Sequence, residues 1–113
     1  MKRDMELVRK ILIAIEESNC TMGFITLNFD NYSDEQISYH VKLLRENGLI
    51  EAVDASSTDG IAWMPTGLTW EGHDYIEAIK DDTRWQKVKK WISDNGKLIT
   101  IETIKQGVQA LFM

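Results

Sequence analysis

Apolar residues recur with two different periodicities over residues 1–30. Between about Arg3 and Ser18 the apolar positions recur at three- and four-residue steps, which is typical of an amphipathic helix. These positions are Met5, Val8, Ile11, Leu12 and Ile15. In the following stretch "FITLNF" every second residue is apolar, and this alternation predicts a short strand. Its apolar side consists of Ile25, Leu27 and Phe29.

A second helix is predicted from Ser33 to about Asn47. Ser33 and Gln36 have the spacing of a capping box, in which each side chain bonds the other residue's backbone amide. Gly48 suits the left-handed conformation that follows a last helical turn. The stretches "LIEAVD" and "IAWM" then flank the turn-rich segment "ASSTDG", which predicts a β-hairpin.

Apolar residues return to a helical spacing after Thr69, whose hydroxyl can cap a helix start. The polar stretch "DDTR" interrupts the apolar stripe, and one long kinked helix ending at Gly96 is favoured over two helices. The stripe consists of Trp70, Tyr75, Ile76, Ile79, Trp85, Val88, Trp91 and Ile92. A last amphipathic helix is predicted to begin at Thr100. Its apolar positions are Ile101, Ile104, Val108 and Leu111.

This order of elements predicts an α+β, mostly helical fold of the winged-helix (winged helix-turn-helix-like) type. One domain covers residues 1–113, which is a suitable length for a single core. Residues 1–69 would form a helix, a strand, a second helix and a two-stranded wing, and residues 70–113 would add C-terminal helices.

Two motifs point to known families. "SYHVKLLRENGLI" resembles the recognition helix and first wing strand of bacterial winged-helix regulators, and "LTWEGHDYI" resembles the L-T-x-x-G segment after their second wing strand. The opening "MKRDMELVRKIL", with "ISYHVKLL", "LTWEGHDYIEAIKDD" and "W-x-K-V-K", is similar to a bacterial and phage family, domain of unknown function number twenty-five-thirteen. That resemblance covers nearly the whole chain and implies a fold, but it brings no activity.

Composition and charge reduce the number of function classes to consider. The composition is that of a soluble globular protein, without a membrane span or a signal-peptide core, and the single cysteine, Cys20, fits a reducing, cytoplasmic location. The net charge is −5. Residues 51–83 carry a net charge of −7 and residues 84–113 a net charge of +4, so an acidic middle and a basic tail require explanation.

The second helix is the first candidate site for double-stranded DNA. On a helical wheel its core side holds Ile37, Val41 and Leu44, with His40 beside them. The candidate contacts on the outward side are Ser38, Tyr39, Lys42 and Arg45. The first helix of a helix-turn-helix is missing or reduced to the turn "DNYS", and residues 51–69 hold three acids and no base. A solvated helix face without a nucleic-acid role is therefore weighed evenly against DNA binding.

The tail "RWQKVKKW" is the second candidate. Arg84, Lys87 and Lys90 could bind phosphates while the tryptophans stack on bases. Because Trp85 keeps helical core spacing, packed tryptophans with solvated lysines are favoured over a nucleic-acid site.

Catalysis is not expected. Glu71, His73 and Asp74 have the wrong helical spacing for a zinc site, Cys20 has no nucleophile signature, and no glycine-rich phosphate loop is present. The sequence thus predicts no enzyme, no catalytic residues, no metal and no cofactor.

Two functions remain open. The leading one is a bacterial or phage winged-helix transcriptional regulator that binds DNA. The alternative is a winged-helix protein-interaction module whose acidic wing binds another protein, without nucleic-acid binding. The apolar end of the last helix, with Phe112 and Met113, also suggests a homodimer through the C-terminal helices.

Overall fold

Five helices and a two-stranded antiparallel sheet make up the described part of the chain, which is residues 2–18, 23 and 25–112 of this computed structural model. In chain order the elements are α1 (Met5–Glu17), α2 (Asp34–Glu46), β1 (Ile50–Asp54), β2 (Trp63–Leu68), α3 (Trp70–Ile79), α4 (Asp82–Asp94) and α5 (Ile101–Phe112). The predicted fold class, α+β and mostly helical with a hairpin after the second helix, is confirmed. None of the helices in this part of the chain combines the length and the apolar character needed to cross a membrane.

The start and end of α2 follow the predicted signals. The Ser33 hydroxyl accepts a hydrogen bond from the Gln36 amide at 3.1 Å, and the Gln36 side chain accepts one from the Ser33 amide at 2.9 Å. After the helix, Gly48 adopts a φ of +74°, which a residue with a side chain rarely tolerates. The chain therefore turns directly into β1, which pairs with β2 from Ile50 opposite Leu68 to Asp54 opposite Trp63.

The strand predicted over residues 24–29 is wrong for 25–29, and Phe24 lies outside the described residues. The alternation itself holds, because Ile25 is buried and Leu27 is half-buried while Thr26 between them is exposed. The Ile25 amide donates to the Pro65 carbonyl of β2 at 2.9 Å. In a strand, the N–H and C=O of one residue point to the same side, so Pro65 offers this segment an acceptor but no donor. With half of that pair missing, residues 25–27 lie beside β2 without forming a strand.

The single long helix favoured for residues 70–95 is also wrong, because α3 ends at Ile79 and α4 begins at Asp82. Asp81 caps α4 by accepting a hydrogen bond from the Arg84 amide at 3.2 Å. Arg9 of α1 reaches across to the end of α3, where its guanidinium donates to the carbonyls of Ile79 at 2.9 Å and Lys80 at 2.7 Å. The carbonyls freed by the break thus have donors from another helix.

Helix α1 lies at the centre of the core and packs against α2, β2 and α3. Its residues Leu7, Val8, Ile11 and Leu12 are fully buried. Helix α5 packs against α4 and α3, and Thr100 caps it by accepting a hydrogen bond from the Thr103 amide at 3.1 Å, as predicted.

An ion pair between α1 and the end of α3 makes stability depend on pH. The Lys80 ammonium lies 2.8 Å from the Glu16 carboxylate and, through this hydrogen bond, lowers the pKa of Glu16 below its usual 4.5. A lowered carboxyl pKa adds stability above the usual pKa, and this contribution is lost as the pH falls through the lowered value. We expect Glu16→Gln to reduce the free energy of unfolding at pH 7 by about 1 kcal/mol or less. It should also weaken the loss of stability below about pH 4.5.

Urea denaturation at neutral and acid pH measures both effects. Glu17→Gln is the matched control, since Glu17 is the exposed neighbour at the end of the same helix. An acid slope equal to that of the unaltered protein in Glu16→Gln would contradict the assignment to this pair.

Candidate functional site

The outward face of α2 carries the four residues predicted there. Ile37, Val41 and Leu44 are buried on the opposite side, as the helical wheel predicted. Ser38, Tyr39 and Lys42 are half-buried and Arg45 is exposed. The structure therefore brings these four candidate side chains onto one helix face next to the hairpin.

Acidic groups surround the two cations of this face. The Lys42 ammonium lies 3.7 Å from the Glu46 carboxylate, and the Arg45 guanidinium lies 5.4 Å from the centroid of the Trp63 ring. The pKa of Asp54 at the end of β1 is lowered, first by hydrogen bonds from Ser56 and further by the attraction of Lys42 and Arg45. Lys42 therefore has an ion-pair partner in Glu46, and Arg45 packs over the Trp63 ring.

The remaining charges on α2 and the hairpin themselves are negative. Asp34 and Glu35 are exposed in the first turn of α2, where they face the positive end of the helix dipole. Glu51, Asp54 and Asp59 are exposed on the hairpin, and residues 51–69 contain no Lys or Arg. A phosphate approaching this surface would meet more carboxylates than unpaired cations.

A groove lies between α2, β2 and the segment 25–27, and sequence reasoning missed it. Its volume is about 350 Å³. Most of its lining is apolar and includes Ile25, Leu27, Ile37, Trp63, Met64 and Pro65, and the polar residues Thr26, Asp34 and Ser38 also line it. The sequence signal was the alternation at 25–27 together with the bulky "IAWM", but only the fold shows that the two stretches lie next to each other beside α2.

The basic residues of the tail lie on α4, which packs against α3 and α5. Trp85 is buried and its indole N–H donates to both oxygens of the Glu6 carboxylate at 3.1 and 3.2 Å, which confirms that this tryptophan is packed. Lys89 binds the same carboxylate at 2.9 Å, and the Arg84 guanidinium lies 5.4 Å from the centroid of the Phe112 ring. Lys87 and Lys90 are exposed, and neither forms an ion pair with another described residue.

His40 is buried, as the helical wheel predicted, and both ring nitrogens have partners. Its Nε2 accepts a hydrogen bond from the Asp4 amide at 2.8 Å, and its Nδ1 lies 2.7 Å from the Gln36 carbonyl oxygen. Since a carbonyl can only accept, the proton is on Nδ1. His40 thus links α2 to the start of α1 as a neutral imidazole.

The other residues considered for catalysis are not gathered into a site. Glu71, His73 and Asp74 are all exposed on α3, and Cys20 lies outside the described residues. Among the residues that the structure describes, no group of three or more His, Cys, Asp or Glu is placed to hold a metal ion.

Trp70 departs from the prediction that placed it in the apolar stripe of its helix, since its surface is 86% exposed. The buried side of α3 begins at Gly72, not at Trp70, and continues through Tyr75, Ile76 and Ile79. Gly72 occupies the point where α3 approaches the Leu49 backbone, and this turns Trp70 outward. Asp74 and Glu77 share the outward face with Trp70, because residues four and seven positions on lie above it on a helix.

Comparison with known proteins gives two matches. A family model described as "Hypothetical protein (DUF2513)" matches residues 2–98. An uncharacterized protein of Haemophilus influenzae (strain ATCC 51907 / DSM 11121 / KW20 / Rd) is 36% identical over 112 residues, which cover 98% of this chain and 95% of that protein. No solved structure matches the chain.

Proposed function

The chain belongs to the DUF2513 family of hypothetical proteins, and we propose that it is a winged-helix-like binding module that recognises a protein segment in the groove between α2 and the hairpin. The proposed ligand is a segment that inserts an apolar side chain and carries Lys or Arg next to it.

The size and the apolar lining of the groove support the proposal. Its volume of about 350 Å³ and its apolar lining suit the insertion of a large side chain. Asp34 lines the groove, and Glu35 follows it on the same helix. Like the exposed acids of the hairpin, these carboxylates would attract a basic segment and repel an acidic one.

The charges favour this alternative over the DNA-binding regulator that led the sequence interpretation. A recognition helix commonly places its N-terminal residues against base edges, and here those residues are Asp34 and Glu35. Phosphate binding gains its affinity from cations that release counterions, whereas Lys42 and Arg45 lie beside Glu46, Asp54 and the Trp63 ring. The same surface therefore suits a basic protein segment better than a nucleic acid.

A peptide titration tests the groove. Labelled peptides with one tryptophan or leucine between arginines should bind, and matched peptides with glutamates in place of the arginines should not. Ser38→Arg places a large cation in the groove lining and should weaken binding by about tenfold or more. Fluorescence polarisation measures the affinities. Ser93→Arg is the control, because it makes the same substitution at an exposed serine of α4 outside the groove lining, and it should leave binding unchanged.

A mixed-sequence DNA duplex is the counter-test. We expect only non-specific binding, with a dissociation constant of about 10⁻⁴ M or weaker at physiological salt. Tight binding that weakens steeply with salt and disappears in Lys42→Glu/Arg45→Glu would restore the DNA-binding interpretation. Loss of duplex binding only in Lys87→Glu/Lys90→Glu would instead place nucleic acid on α4.

A further inference from the structure

The outward face of α3 combines an exposed tryptophan with two exposed carboxylates. We call Trp70, Asp74 and Glu77 the α3 stripe. Asp74 forms no ion pair with another described residue, and Glu77 lies 3.8 Å from Lys80, which itself binds Glu16 at 2.8 Å. Trp70 leaves 86% of its surface in water, and tryptophan is enriched among the residues that contribute most of the binding energy at protein interfaces.

The outward face of α4 carries positive charge and so complements the negative α3 stripe. We call Thr83, Lys87 and Lys90 the α4 stripe. These residues are exposed on the side opposite the buried Trp85, Val88 and Ile92. Both lysines lack an acidic partner within the described residues, so no ion pair joins the α3 stripe to the α4 stripe of the same chain.

The two stripes have the same spacing. Asp74 and Glu77 are three residues apart, as are Lys87 and Lys90, which corresponds to about 4.5 Å along each helix axis. Trp70 precedes Asp74 by four residues, and Thr83 precedes Lys87 by four. With the helices side by side in the same direction, Asp74 meets Lys87, Glu77 meets Lys90, and Trp70 covers Thr83. The opposite direction would place Trp70 against the Asp94 carboxylate, which an aromatic face repels.

We propose that the α3 stripe of one copy of this chain binds the α4 stripe of a second copy. Charge complementarity identifies the occupant, because this chain carries both halves of the match and, among the described residues, gives Asp74, Lys87 and Lys90 no ion-pair partner. The contact also gives a role to the net charges of −7 over residues 51–83 and +4 over residues 84–113. It is independent of the groove between α2 and the hairpin.

The association is weak and sensitive to salt. Exposed ion pairs contribute little individually and are screened within about 8 Å at physiological ionic strength. Sedimentation equilibrium of the intact chain should show a dissociation constant that rises about tenfold between about 50 and about 300 mM salt. Trp70→Ala should raise the dissociation constant by about 30-fold or more, as expected for the anchor residue of an interface. Leu98→Ala is its control, because Leu98 is also highly exposed but lies outside both stripes.

A charge exchange tests the pairing directly. Asp74→Lys/Glu77→Lys and Lys87→Asp/Lys90→Asp should each be monomeric alone and should associate when mixed in equal amounts. Glu51→Lys and Lys10→Asp, which reverse exposed charges elsewhere, should associate like the unaltered chain. All the altered residues are exposed, and urea denaturation confirms that each variant is folded. If a doubly altered chain does not fold, the comparison of the dissociation constants of Trp70→Ala and Leu98→Ala tests the proposal instead.

Three results would overturn the proposal. One is a monomer at high concentration and low salt. The second is a dimer that survives both charge reversals, which would place the contact elsewhere, for instance at Leu111 and Phe112 of α5. The third is a mixture of the two reversed variants that stays monomeric.

Discussion

Gly72→Ala is expected to destabilise the protein by more than about 3 kcal/mol, although alanine is the better helix former by about 1 kcal/mol. A Cβ on Gly72 would overlap the Leu49 carbonyl oxygen and lie 2.9 Å from its carbonyl carbon. That carbonyl cannot easily move, because it accepts the Thr69 amide at 3.1 Å. The Thr69 hydroxyl in turn donates to Gly48 at 2.6 Å and accepts the Gly72 amide at 3.0 Å. The junction of α2, β1 and α3 is thus held by backbone groups that leave no room for a methyl group.

Urea denaturation followed by circular dichroism measures this loss. Gly67→Ala is the matched control, because a Cβ there would meet no atom within 4 Å and the backbone is not in the left-handed region. We expect the control to change the free energy of unfolding by less than about 1 kcal/mol. A Gly72→Ala protein as stable as the unaltered chain would show that α3 does not approach Leu49 this closely.

Local signals were sufficient to predict most of the fold. The capping box of Ser33 and Gln36, the left-handed Gly48 and the hairpin lie within a few residues of the elements they define. Residues distant in sequence contribute to both errors, although Asp81 also caps α4 locally. Pro65 has no backbone N–H to donate to the segment at Ile25. Arg9 donates to the carbonyls at the end of α3, which lie about 70 positions later in the chain. A periodic pattern contains no information about such partners.

The same limit applies to the candidate sites. A helical wheel is enough to place Ser38, Tyr39, Lys42 and Arg45 on one face of α2, because the wheel depends only on helix geometry. It cannot show that Asp54 and Trp63 of the hairpin lie against that face, since their position depends on the register between the two strands. The outward position of Trp70 was missed for a related reason, because the close approach of Gly72 to Leu49 sets the rotation of α3.

His40 joins the two helices at the centre of a small polar network. The backbone amide of Asp4 donates to its Nε2 at 2.8 Å. The Asp4 carboxylate caps α1 by accepting hydrogen bonds from the amides of Glu6 at 2.9 Å and Leu7 at 3.2 Å, and it accepts the Tyr32 hydroxyl at 3.0 Å. Because the imidazole holds the backbone of the capping residue, α2 helps to position the start of α1.

His40→Leu should therefore reduce the free energy of unfolding by about 2–3 kcal/mol, since leucine fills similar space but leaves the Asp4 amide without an acceptor. Tyr32→Phe, which removes only one half-buried hydroxyl from the same network, should cost about 0.5–1.5 kcal/mol. Amide hydrogen exchange separates the two effects. The Asp4 amide should lose its protection in His40→Leu and keep it in Tyr32→Phe. If this amide stayed protected in His40→Leu, Nε2 would not be its acceptor, and α2 would hold the start of α1 through apolar packing alone.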